Sequence, residues 1–209
     1  MTNFDERAKD WDSDPAKVER AWMVAEAIRK TIPLTTEMNA LEYGCGTGLL
    51  SFALQPDLRQ ITLADASQGM LDVLAGKITA SGVTNMHPLR LDLLNDPLPA
   101  ERYRLIYSLM VLHHIQQVQD IIDKFHTMLE PNGYLLIADL DKEDGSFHTD
   151  GTTDIHRGFD RGELKKRVEA AGFASVAFSP AYEIKKQVNG TLKSFPVFLL
   201  SARKQPSAN

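Results

Sequence analysis

The chain has 209 residues, 43% apolar and 24% charged, with a formal net charge of −5. That is enough chain for one well-buried domain and short for two. No Lys/Arg cluster dominates, which argues against a nucleic-acid substrate, and no apolar run approaches the roughly 20 residues that span a bilayer. The start, Met-Thr-Asn-Phe-Asp-Glu-Arg, lacks the basic and apolar regions of a signal peptide, and the single Cys45 cannot form an internal disulfide. A cytoplasmic protein without membrane insertion is the expectation.

Residues 4 to 14 are polar but place Phe4, Ala8 and Trp11 on one helical face. The segment reads either as a lid over a ligand or as an arm anchored by its aromatics. Asp14-Pro15 starts a helix, with a capping carboxylate and proline at the first position. It runs to about Ile32, before Pro33, and its periodicity places Trp22 and Met23 in the core.

The stretch from Met38 to Leu54 reads as strand, glycine turn and helix. Its centre is Glu42-Tyr43-Gly44-Cys45-Gly46-Thr47-Gly48. Glycines on alternate positions let the backbone turn sharply and approach a ligand, beside the N–H groups of the following helix. A dinucleotide fingerprint would need glycine at position 49, where Leu49 stands. Glu42 would repel a pyrophosphate and suits a ligand with an ammonium group. The segment resembles the first motif of class I S-adenosylmethionine-dependent methyltransferases, whose ligand carries an ammonium and a sulfonium and no phosphate.

Ile61 to Ala64 is a short strand ending in Asp65, followed by Ala66. An acid at that place is positioned for both hydroxyls of a ribose, and the resemblance implies the same role. Ser67 to Ala80 reads as a helix in which Met70 is either core or an adenine contact. His87 to Leu91 reads as a third strand ending in Asp92-Leu93. The resemblance implies that Asp92 holds the adenine amine and that the next backbone N–H reaches the ring. Glu42, Asp65 and Asp92 thus end three strands, and such ends converge on one crevice in an open α/β sheet.

Arg104 to Ser108 is a fourth strand, running into Leu109-Met110-Val111-Leu112-His113-His114-Ile115. This string is similar to the fourth motif of small-molecule methyltransferases, including those of quinone biosynthesis, although Arg102, Tyr103 and Arg104 replace an acid often found before it. Leu109 joins the expected cofactor wall. His113 and His114 are either bases for methyl transfer or structural histidines. Pro131-Asn132-Gly133 is a turn and Tyr134 to Ala138 a fifth strand. The long loop from Asp139 to Phe159 leaves on the cofactor side. Asp139, Phe147, His148 and His156, with Trp11 from the arm, are the expected substrate contacts. Asp139, Asp141, His148, Asp154 and His156 match no zinc or calcium signature, and no metal is expected. A helix from Arg161 to Ala171 follows. Two last strands are joined at Asn189-Gly190.

The expected architecture is α/β: a doubly wound sheet of seven strands, six parallel and the last antiparallel, in one domain over 1–209. Residues 1–32 form the arm and first helix, and 38–203 the core, which is Rossmann-like by the resemblance. The expected activity is methyl transfer from S-adenosyl-L-methionine, leaving S-adenosyl-L-homocysteine, to a small-molecule acceptor. Alternatives are a non-catalytic binder of that cofactor and a nicotinamide-dependent oxidoreductase. Acceptor, methylated atom and oligomeric state are not legible.

Overall fold

The computed structural model describes residues 4–148 and 155–206; Asp154, one of the acids weighed above for a metal, lies outside them. The arm is a single helical turn, α1 (Phe4–Arg7), continuing as a 3-10 helix over Ala8–Ser13. Helix α2 (Pro15–Thr31) is capped by Asp14, whose carboxylate accepts the Ala16 N–H at 3.0 Å. Its buried stripe is Ala21, Val24, Ala25 and Ile28. Trp22 and Met23 are 53% and 48% exposed, so the core placement of both is corrected. The small residues at 21 and 25 set the inward face, and at 100° per residue the next two positions swing off it.

The chain then runs through β1 (Asn39–Tyr43), α3 (Leu49–Leu54), β2 (Gln60–Asp65), α4 (Gln68–Ser81), β3 (Met86–Arg90) and β4 (Tyr103–Leu109). A short 3-10 turn, Leu112–His114, precedes α5 (Val118–Met128), β5 (Leu129–Leu140), α6 (Arg161–Ala170), β6 (Phe173–Val188) and β7 (Thr191–Lys204). The expected turn at 131–133 lies inside β5 as an irregularity. Asn132 has φ +63°, and the pairing jumps from Tyr103–Leu129 to Leu105–Tyr134.

Among the described residues the strands form one sheet in the order β3-β2-β1-β4-β5-β7-β6. β7 is antiparallel to both neighbours and the other six share one direction. Side chains alternate between two apolar layers. Ala40, Leu63 and Leu199 pack with α2, α3 and α4, while Leu41, Ile106 and Leu200 pack with α5 and α6. The order reverses between β1 and β4, and a crevice opens beyond the carboxyl ends of such strands.

The glycine turn after β1 enters this crevice, and its glycines have different tasks. Gly44 (φ +70°) lies against the Val111 side chain, which a Cβ would strike. Gly46 (φ +53°) has only Met70 Sδ and Trp11 Nε1 near, at 3.8 and 3.9 Å from where a Cβ would stand. At Gly48 (φ +79°) a Cβ would fall 2.6 Å from Leu74 Cδ1 and 3.3 Å from Leu63 Cδ2. Gly48 therefore seats α3 against β2 and α4. Gly48→Ala is expected to cost about 2–3 kcal/mol, from a left-handed alanine plus an overpacked contact. Urea unfolding of both proteins checks this, and a loss under 0.5 kcal/mol would refute the packing role.

Candidate active site

A cavity of about 1010 Å³ opens at the crevice. Its floor is the glycine turn, which crosses to β2 through N–H bonds from Gly44 and Cys45 to the Ala64 carbonyl, at 2.8 and 3.0 Å. Asp65, at the end of β2, accepts the Gly46 N–H at 2.7 Å on one oxygen and the Ser67 N–H at 2.8 Å on the other. Burial pushes its pKa up despite those donors. Ala66 and Met70 continue the wall; Met70 is both core and wall, being 2% exposed.

Glu42 is 2% exposed and accepts a short hydrogen bond from Ser51 Oγ, which in turn shares a 2.6 Å bond with Tyr107 OH. Burial, opposed by Ser51 and reinforced by Asp65, raises its pKa to about 8. Glu42 is thus mostly a neutral acid near pH 7, not the standing anion that the sequence suggests, because burial removes the water that would solvate its charge. Cys45 is buried beside it; desolvation, then the charges of Glu42 and Asp65, hold its thiol well above the usual range. Asp92 lines the cavity beyond β3. Its oxygens also tie the loop, accepting the Leu94 N–H at 2.9 Å and Asn95 Nδ2 at 2.7 Å.

The arm lies over this end. Asp5 accepts from Ser67 Oγ at 2.5 Å and from the Gly69 N–H at 2.8 Å. Asp12 accepts from Thr47 Oγ1 and from Lys77 Nζ, both at 2.5 Å. Trp11 sits above Gly46 under Lys17 Nζ, 3.8 Å from its ring centre. Phe4 meets Trp11 and His114 edge-on, at 6.1 and 5.4 Å between ring centres.

The other end is built by the segment after β4 and by the loop after β5. Leu109, Met110 and Val111 line it, and Met110 holds φ +59° while its N–H bonds the Ala138 carbonyl at 2.8 Å. His113 is 1% exposed, and its Nδ1 meets Asp139 Oδ1 at 2.6 Å. Asp139 also accepts the N–H groups of Leu140 at 2.8 Å and of His113 at 3.3 Å. Burial works to raise the Asp139 pKa, but the His113 ring and these donors bring it below the ordinary carboxylate value. His114, Phe147 and His148 complete the wall.

A family model described as a methyltransferase domain matches residues 17–177. The chain belongs to the methyltransferase domain family. An uncharacterized methyltransferase of Schizosaccharomyces pombe is 36% identical over 119 residues, 53% of this chain and 42% of that protein. A ubiquinone biosynthesis O-methyltransferase of Bradyrhizobium diazoefficiens is 27% identical over 110 residues, 53% of this chain and 43% of that protein. The chain thus spans about half the length of these curated relatives. A SAM-dependent methyltransferase of Aquifex aeolicus superposes with a TM-score of 0.68 at 20% identity, over 95% and 97% of the two chains, and shares the fold. The sheet order with β7 antiparallel is the Rossmann-like methyltransferase arrangement. No helix among the described residues is long and apolar enough to cross a membrane.

Within this methyltransferase fold the predicted residues divide. Glu42, Gly44, Cys45, Gly46, Asp65, Ala66, Met70, Asp92 and Leu109 share the cavity with Trp11, His113, His114, Phe147 and His148. Four are placed otherwise. Gly48 packs against Leu74, as above. Leu93 is fully buried in the second core layer, and Leu94 takes its place on the cavity. Asp139 is no loop residue: it is the penultimate residue of β5, at 0% exposure, and faces His113. His156 braces the wall from behind, its Nε2 3.0 Å from the Ile115 carbonyl and its N–H 2.7 Å from that of His113. Trp11, from the arm, stands over the glycine turn.

Reading the sequence missed Arg20, Thr47 and Lys186, all on the cavity. Arg20 Nε is buried without a hydrogen-bond partner among the described residues. Its signal was its spacing, one helical turn beyond Lys17, so that α2 carries both to the rim.

Proposed function

We propose that this chain transfers a methyl group from S-adenosyl-L-methionine to a small-molecule acceptor. The observation that carries this reading is the convergence of Glu42, Asp65 and Asp92 on one cavity beside Gly46, whose position leaves room for a ligand against the backbone. Each Asp65 oxygen keeps a lone pair for a ribose hydroxyl, and Asp92 faces the adenine end. Arg20 supplies a cation for the carboxylate of the methionyl half, and Glu42 an acid for its ammonium. Alignment of the acceptor with the C–S bond and exclusion of water provide much of the rate, since the sulfonium already activates its methyl.

The acceptor belongs at the end walled by Phe147, His113, His114 and Lys186. A hydroxylated acceptor is the first class to screen, given the O-methyltransferase name of one relative. Titration calorimetry with S-adenosylmethionine, S-adenosylhomocysteine and NADH tests the cofactor; binding of NADH alone would overturn it. Asp65→Ala is expected to weaken cofactor binding by about 1–3 kcal/mol, roughly ten- to a hundredfold. A folded variant with unchanged affinity rejects the ribose assignment.

A further inference from the structure

We propose that His113, His114 and His148 form a site for a divalent first-row transition ion, with Zn²⁺ as the reference ion, on the acceptor wall of the cavity. One ligand-type atom from each of the three lies within 4.8 Å of the others. The ring centres are 4.0 Å apart for His113 and His114, and 5.3 Å from His148 to each. All three side chains line the same cavity.

The decisive feature is His113. Its Nδ1 is committed to Asp139 at 2.6 Å, so with Asp139 ionised that nitrogen carries the proton and Nε2 presents a lone pair. Nε2 is buried and has no hydrogen-bond partner among the described residues. A buried imidazole acceptor without a partner is costly, and a metal ion satisfies it. The arrangement of carboxylate, histidine and open nitrogen is the one by which proteins fix the tautomer of a ligating histidine and raise its basicity. Phe147 lies 6.5 Å from His113 ring to ring, and Lys186 Nζ is bonded to the Phe147 carbonyl at 2.7 Å.

Tetrahedral ligation at about 2.0–2.1 Å brings ligand nitrogens to roughly 3.4 Å from one another. The present spread therefore needs a contraction of up to about 1.4 Å, within reach of a loop residue such as His148. Imidazole donors favour Zn, Cu, Fe and Ni over Mg or Ca. Three protein ligands leave a coordination position open toward the cavity. An acceptor O–H or S–H binding there would release its proton to solvent. Its lone pair would then attack the methyl carbon while the C–S electrons return to sulfur. The histidines would act as ligands, in place of the base role that the sequence suggested. The chemical use of the site rests on the methyl-transfer reading; the ion binding does not.

The test is titration of chelator-treated protein with ZnCl₂ by calorimetry and with Co²⁺ by visible absorption. One ion per chain and a ligand-field spectrum of a tetrahedral or five-coordinate site are expected. His148→Ala, a change confined to the loop, and His114→Ala should each weaken binding at least tenfold with the circular dichroism unchanged. Asp139→Asn should weaken it about 10–100-fold through the orientation of His113. Absence of binding, or binding that His148→Ala leaves intact, overturns the site. S-adenosylmethionine affinity measured on the same samples is expected to be unchanged by His148→Ala. A failure of cofactor binding in the parent protein would sink the methyl-transfer reading while the metal result stands on its own.

Discussion

Asp139→Ala is expected to lower the unfolding free energy by about 3–5 kcal/mol, the scale of leaving several buried hydrogen-bond donors without their acceptor. The size follows from what the carboxylate holds. It is fully buried and accepts from the His113 ring, the His113 N–H and the Leu140 N–H. Its removal strands all three donors without water to replace it. The pH dependence has a defined sign. Its folded pKa lies below the ordinary value of 3.8, so the parent protein holds this stabilisation above about pH 4 and loses it as the pH falls through the depressed value. The stability gap between parent and variant should therefore be wide at pH 6 and narrow toward pH 3. Urea unfolding across that range measures it, and a gap below 1 kcal/mol at pH 6 would show that the pair does not hold the wall together.

Glu42→Gln is expected to act in the opposite pH range and with the opposite sign. The folded Glu42 pKa, about 8, exceeds the ordinary 4.5, so between these values the folded chain keeps a proton that the unfolded chain gives up. Stability must then decline as the pH rises from about 5 to 8. At roughly 1.4 kcal/mol per pKa unit the full effect is on the order of 5 kcal/mol by pH 9. A glutamine keeps the size and the hydrogen bond to Ser51 but cannot ionise. The difference in stability between variant and parent should grow in the variant's favour across that interval. Parallel pH curves would exclude the protonated Glu42. The same proton supplies a binding signature. A ligand bringing an ammonium to Glu42 favours the carboxylate, so cofactor binding near pH 7 should release a proton. Calorimetry in two buffers of different ionisation enthalpy reads this directly, and enthalpies independent of the buffer count against contact between Glu42 and the ammonium.

How far the sequence reveals this molecule depends on the range of each signal. Strand, turn and helix around Gly44 to Gly48 are local events, written in apolar periodicity and in glycines that adopt positive φ, and they were legible. So was the hairpin at Asn189 and Gly190, both at positive φ. The task of each glycine was not. Whether Gly48 meets a ligand or Leu74 depends on where α4 lands. Trp22 and Met23 misled because apolar residues beside a buried stripe of alanines satisfy the same period as the stripe. Asp139 read as a loop acid because charge inside a strand end is improbable until its partner, His113, comes from 26 positions away. The histidine cluster was illegible for the same reason: His148 is 34 residues beyond His114, with no spacing rule connecting them. Asp65 and Asp92 could be placed at the cavity because the topology of an open sheet gathers strand ends, which is a rule of the fold and not of the pair.

The single thiol has a practical consequence. Cys45 is the one cysteine in the chain and lies buried in the glycine turn, beside two acids that disfavour its thiolate. Alkylation requires the thiolate and access to it. In the native chain a maleimide or iodoacetamide must therefore wait for this turn to open. The labelling rate is a clock for local opening at one defined place, with no second thiol to confuse it. Any molecule that occupies the turn will slow that clock, so occupancy can be followed by mass spectrometry before a single acceptor is known.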